Sequence, residues 1–200
     1  MKLYVGLVSG NTYKVRILMA LLGIECPMVA LDFERREHKS PEFLRLNPRG
    51  EVPVLVDGDT VLWDSSACLL YLAERHGGAP WLPAAPGARA EVTQWMALAG
   101  GEIQFGLQLG RRGVVQGRWT LGDLERCQAM SRVALDAMEF RLVEHTWLVG
   151  DHPTLADIAC FPYVETAPES KVPLEPYPGV RAWLAACRAL PRWPGRAFTV

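Results

Sequence analysis

Three stretches of the chain concentrate side chains that could do chemistry. Ser9-Gly10-Asn11-Thr12 puts two hydroxyls and an amide into a turn that opens a helix. Donors of that kind can stabilise an anion, and they also serve as ordinary helix caps. Asp64-Ser65 sits where a strand hands over to a helix. The free N–H groups and dipole of a helix start favour a negative group there. Between them lie His38-Lys39 and the run Asn47-Pro48-Arg49-Gly50-Glu51-Val52-Pro53. The five cysteines, Cys26, Cys68, Cys127, Cys160 and Cys187, are scattered and form no C-x-x-C pair. Their spacing indicates neither a metal site nor a dithiol centre, and they read as small buried hydrophobes in a reducing compartment.

The charge balance narrows the partners. Lysine plus arginine number 21 and aspartate plus glutamate 22, for a net charge of −1. No patch of one sign points to nucleic acid or an anionic membrane. No apolar run reaches the ~18 residues of a membrane span. The opening MKLYVGLVSGN reads as a first strand rather than a signal peptide.

The elements that must position these residues follow from local signals. Lys2 to Leu7 is a short apolar run suited to a buried strand. Val15, Leu18, Met19 and Leu22 then fall at helical spacing, with Lys14 and Arg16 expected on the opposite side and Gly23 as the stop. Met28 to Leu31 makes a second strand. Ser40-Pro41 is an N-cap followed by proline at the first helical position. Val54–Val56 and Val61–Trp63 flank Asp57-Gly58-Asp59, a hairpin signal. A third helix starts at Asp64-Ser65-Ser66, with Gly77 as its expected C-cap. The order βαβαββα is that of a thioredoxin-like domain, an α/β unit placed at residues 1–77.

Residues 78–88, rich in Gly, Pro and Ala, are read as a linker. From residue 89 to 200 strand signals nearly vanish, which gives an all-helical second domain. Val92, Trp95, Met96 and Ala99 share one helical face, and the pattern resumes at Ile103, Phe105 and Leu109 after Gly100-Gly101. Gly110 to Gly122 reads as a loop or frayed end. Leu124 to Leu142 is a long helix, Thr154-Leu155-Ala156-Asp157 is a capping box, and a last helix runs from about Val180 to Leu190.

Four pieces together resemble a known family: Ser9-Gly10-Asn11 before Lys14-Val15-Arg16, Asn47 to Leu55, Asp64 to Leu72, and Thr154 to Ala159. Taken in order along nearly the whole chain, they are similar to the bacterial cytosolic glutathione S-transferases of theta-like or zeta-like type. The resemblance implies a cytoplasmic homodimer that binds glutathione as co-substrate, needs no metal, and conjugates the thiolate to a small hydrophobic electrophile.

It also implies roles residue by residue. Ser9 matches the position that activates the sulfur, with Asn11 and Thr12 as alternatives in the same turn. Glu51, Val52 and Pro53 form the backbone edge for the cysteinyl part, with a cis proline. Ser65 receives the γ-glutamyl carboxylate and Asp64 the amine, although the family more often has glutamate in that place. His38, or Lys39 beside it, meets the glycyl carboxylate. Val8, Trp95 and Phe105 are candidates for the electrophile side, although an aromatic stripe at helical spacing is first of all a core stripe. Residues 9 to 13 hold no cysteine, so mixed-disulfide chemistry is not expected. Two other readings stay open: a glutathione-dependent isomerase or dehalogenase, and a protein of the same fold that binds or assembles without turnover.

Overall fold

A computed structural model describes residues 1–117 and 119–197. They form two compact units. One comprises residues 1–78 together with the tail from Pro191, and the other runs from Ala79 to Leu190.

In the first unit β1 (Lys2–Val5) leads through Ser9 into α1 (Gly10–Leu22). β2 (Met28–Ala30), α2 (Pro41–Leu46), β3 (Val54–Asp57), β4 (Thr60–Trp63) and α3 (Ser65–Leu72) follow. The sheet order is β2-β1-β3-β4, with β1 parallel to β2 and the other pairs antiparallel. Alternation along β1 buries Leu3 and Val5 on one face. Tyr4 takes the other, where Phe43 of α2 meets its ring edge-on at 5.6 Å. α1 packs against α3. The thioredoxin-like order expected from the sequence is therefore present.

Two details differ from expectation. Lys14 is 3% exposed, on the buried side of α1 rather than the outer one. The end of α3 widens into a π turn, Ala73–Gly77, which moves the stop by one residue. Gly78, not Gly77, has the positive φ of 56° and donates its N–H to Ala73 O.

The second unit is helical: α4 (Pro86–Gly100), α5 (Leu109–Gln116), α6 (Leu121–Leu142), α7 (Leu155–Glu165) and α8 (Pro178–Arg188). Pro86 opens α4 within the stretch read as linker. α7 is buried at every residue from Leu155 to Val164. Residues 110–116, expected as a loop, are helical. Their glycines are points of close approach. A Cβ on Gly113 would run into the Trp119 ring, and one on Gly110 would lie 3.3 Å from Cys127 of α6. The π turn at Gln104–Gln108 shifts the helical register, so Leu107 faces the core while Phe105, expected to face inward, is 56% exposed.

Candidate functional site

The first unit gathers most of the candidate residues. Ser9 caps α1, its Oγ accepting the Thr12 N–H at 3.2 Å. A hydroxyl that accepts still holds its own proton to donate. Thr12 is fully buried, and its Oγ1 accepts the Gly6 N–H at 3.3 Å. That bond ties the Thr12 hydroxyl to the end of β1 at the floor of the turn. Ser9 and Asn11 remain as the half-buried donors of the turn.

Asp64 follows β4 and caps α3. Its Oδ1 accepts the Ser66 N–H at 2.8 Å, and its backbone has φ 76° and ψ 131°, a conformation costly for any residue but glycine. Ser65 follows, 5% exposed, and donates its hydroxyl to Asn11 Oδ1 at 3.4 Å. That bond joins the α1 turn to the α3 start across 54 residues of sequence.

The loop between α2 and β3 completes the cluster. Asn47 is buried; its Oδ1 accepts the Arg49 N–H at 3.0 Å and its Nδ2 donates to Glu51 O at 2.8 Å. Gly50 has φ 60°, and a Cβ there would lie 2.6 Å from His38 O. Only glycine fits both the angle and the space. The Val52–Pro53 bond is cis. Val52 lies outside the β1–β3 ladder, whose last pair is Tyr4–Val54, and its Cγ2 would lie 3.1 Å from a Cβ on Gly6.

His38 stacks on Phe33 with centroids 4.3 Å apart. Its Nδ1 is buried with no hydrogen-bond partner. Burial first, then the charges of Lys39 and Arg36, push its pKa below the ordinary imidazole value. His38 therefore acts at neutral pH as a neutral donor or acceptor rather than a cation. Lys39 donates from Nζ to Arg49 O at 2.7 Å, one of its three donors.

Arg49 is the residue that sequence reasoning passed over as a site. Its Nη2 lies 2.9 Å from Glu51 Oε2 and its Nη1 3.9 Å from Asp64 Oδ2. The guanidinium also sits 5.9 Å from the Trp63 ring centroid. Its signal in the sequence was an arginine two residues from Glu51, in a loop tightened by Asn47 and Gly50.

The electrophile candidates divide between the units. Val8, beside Ser9, is 83% exposed. Trp95 of α4 is 9% exposed and lines a groove of about 380 Å3 with Glu91, Gln94, Ala137 and Phe140. It is chiefly a core side chain.

All five cysteines are free and four are buried. Burial pushes the Cys68 thiol up to about 12 and raises Cys187 as well, so neither supplies a thiolate at neutral pH. Among the described residues no group of three or more His, Cys, Asp or Glu could hold a metal ion, and no helix is long and apolar enough to cross a membrane.

Comparison with known proteins matches this architecture. Residues 1–74 fit the model for the glutathione S-transferase N-terminal domain, and residues 123–191 the model for the C-terminal domain. Glutathione S-transferase 3 of Zea mays is 32% identical over 96% of the chain and 90% of its own length. The crystal structure of a glutathione S-transferase from Pseudomonas fluorescens Pf-5 superposes with a TM-score of 0.92 at 32% identity, covering 98% of both chains. Maleylacetoacetate isomerase from Methylobacterium extorquens AM1, solved with malonate and glutathione bound, has a TM-score of 0.80 at 28% identity, over 95% of this chain and 92% of that one.

Proposed function

The chain belongs to the glutathione S-transferase family, and on that premise we propose that it conjugates the glutathione thiolate to small hydrophobic electrophiles. The observation that carries the reading is the Ser65–Asn11 bond. It holds the anion-accepting start of α3 beside the turn that carries Ser9.

The tripeptide has two carboxylates, an ammonium, a thiol and two peptide bonds. The γ-glutamyl carboxylate meets the Ser65 hydroxyl and N–H at the α3 N-terminus. Asp64 accepts from the γ-glutamyl amine. The cysteinyl backbone pairs with Val52 as an added strand would, and His38 donates to the glycyl carboxylate. Ser9 then donates its hydroxyl proton as a hydrogen bond to the sulfur. A free thiol titrates near 8.5, so a donor that favours the thiolate enlarges the reactive fraction at neutral pH. Attack on the electrophile needs no proton from the chain, and catalysis rests on positioning and on stabilising the anion.

Residues 1–77 serve glutathione in this reading, and the helical residues from 89 onward set electrophile selectivity, with the exposed Phe105 as a candidate. Homodimeric state, cytoplasmic location and a role in detoxification belong to the same proposal. A glutathione-dependent isomerase is the second reading, supported by the likeness to maleylacetoacetate isomerase. It shares the sulfur activation and differs in releasing glutathione unchanged.

Calorimetric titration with glutathione tests the core of the proposal. Wild type binds, Ser65→Ala binds at least tenfold more weakly, and Ser9→Ala keeps affinity while turnover falls on the order of 10- to 100-fold. The pH profile of Ser9→Ala moves toward higher pH as its thiol returns toward the free value. No heat at millimolar glutathione for wild type overturns the reading and favours a binding or assembly role. Glutathione recovered unmodified after turnover favours the isomerase.

A further inference from the structure

The candidate site has an uneven charge count. Glu51 and Asp64 both carry carboxylates there, and glutathione would bring two more with a single ammonium. One guanidinium, that of Arg49, reaches both side chains, at 2.9 Å to Glu51 Oε2 and 3.9 Å to Asp64 Oδ2. We propose that Arg49 is a positioning residue for glutathione, turning the Asp64 carboxylate toward the γ-glutamyl amine and cancelling the Glu51 charge that would repel the tripeptide. This rests on the glutathione reading above.

The backbone around Arg49 is fixed on both sides. The Asn47 side chain holds the residues on both sides of Gly50, through Arg49 N and Glu51 O. Lys39 Nζ holds Arg49 O at 2.7 Å. Gly50, at φ 60°, packs against His38 O and Lys39 Nζ with no room for a Cβ. The side chain that emerges from this clamped loop lies near Trp63 and between the two carboxylates.

Asp64 has two oxygens with different partners. Oδ1 accepts the Ser66 N–H at 2.8 Å as the helix cap, while Oδ2 is the one that Arg49 faces. The guanidinium thus biases the oxygen that the cap leaves over. The three side chains are about half exposed, at 52%, 59% and 46% for Arg49, Glu51 and Asp64. Ion pairs so exposed add little to folding stability. Their effect is on an incoming charge.

The test is calorimetric, on glutathione and independent of any electrophile. Arg49→Gln should weaken binding about tenfold, with melting temperature and circular dichroism unchanged. Glu51→Gln added to Arg49→Gln should recover at least threefold, because the uncovered charge is removed. That coupling is a double-mutant signature which a purely structural loss would not give. In 0.5 M KCl the deficit of Arg49→Gln should shrink, since exposed charges are screened there.

Equal binding by wild type and Arg49→Gln overturns the proposal for Arg49 and leaves the glutathione reading intact. A deficit that neither Glu51→Gln nor salt relieves also overturns it, assigning the loss to the loop fold. Wild type without affinity overturns both.

Discussion

The pattern Thr-Leu-small-Asp occurs twice in the helical unit, and the two copies behave in opposite ways. Thr120-Leu121-Gly122-Asp123 opens α6, and Thr154-Leu155-Ala156-Asp157 opens α7. Both form capping boxes in which threonine and aspartate satisfy each other's backbone N–H groups. The first box is on the surface, where the Thr120 hydroxyl and N–H hold Asp123 below the ordinary carboxylate range. The second is buried, and burial raises Asp157 above that range although four hydrogen bonds work against it. Local sequence therefore sets the cap, and surroundings decide what the carboxylate contributes. Asp64 at the α3 start is a third version: a cap with positive φ and a second oxygen left for other work.

The largest effect expected from breaking this comparison is at Asp157. Its Oδ1 accepts from Leu148 N at 3.1 Å and Trp183 Nε1 at 2.8 Å, and its Oδ2 from Thr154 N at 2.8 Å and Thr154 Oγ1 at 3.2 Å. Asp157→Ala strands all four donors in the core. The cost should be about 3–5 kcal/mol. In a chain of this size that lowers the melting temperature by roughly 10 °C. A scanning calorimetry shift below ~3 °C would show that the buried box is no hub.

Asp64 should split stability from function. Its φ of 76° stores backbone strain that a glycine would not carry. Asp64→Gly relieves that strain, removes one cap bond and deletes the carboxylate assigned to the γ-glutamyl amine. The expected result is a melting temperature equal to or slightly above wild type, with glutathione bound about tenfold more weakly, or ~1.4 kcal/mol. A large drop in melting temperature would make Asp64 structural in the manner of Asp157.

Much of this layout could be read locally. Ser9, Ser40-Pro41, Asp57-Gly58 and Thr154 to Asp157 are signals whose partners lie within a few residues, and each appears where it was expected. What was missed depends on partners far along the chain. Gly110 read as part of a loop because propensity does not see Cys127 and Ser170 closing on it. The two π turns each add a residue to a helical turn, and this carried Phe105 outward and the α3 stop to Gly78. Within the candidate site, the Ser65–Asn11 bond spans 54 residues. The role of Arg49 depends on Asp64, which no spacing rule connects to it.

The smallest expected effect is the pH signature that separates the two boxes. Asp123 is held down chiefly by the Thr120 hydroxyl, 2.6 Å from its Oδ2, so the folded chain binds that proton less tightly than the unfolded chain. Its contribution is present above the ordinary value of 3.8 and is lost as pH falls through the lower folded value. Asp157 has the opposite sign. Its raised folded value means that stability declines as pH climbs from 3.8 toward that value. Urea midpoints for Asp123→Asn should therefore fall slightly below wild type at pH 7 and converge with it toward pH 2. A difference that widened on acidification would mean that Asp123 is raised like Asp157, and that burial does not separate the two boxes.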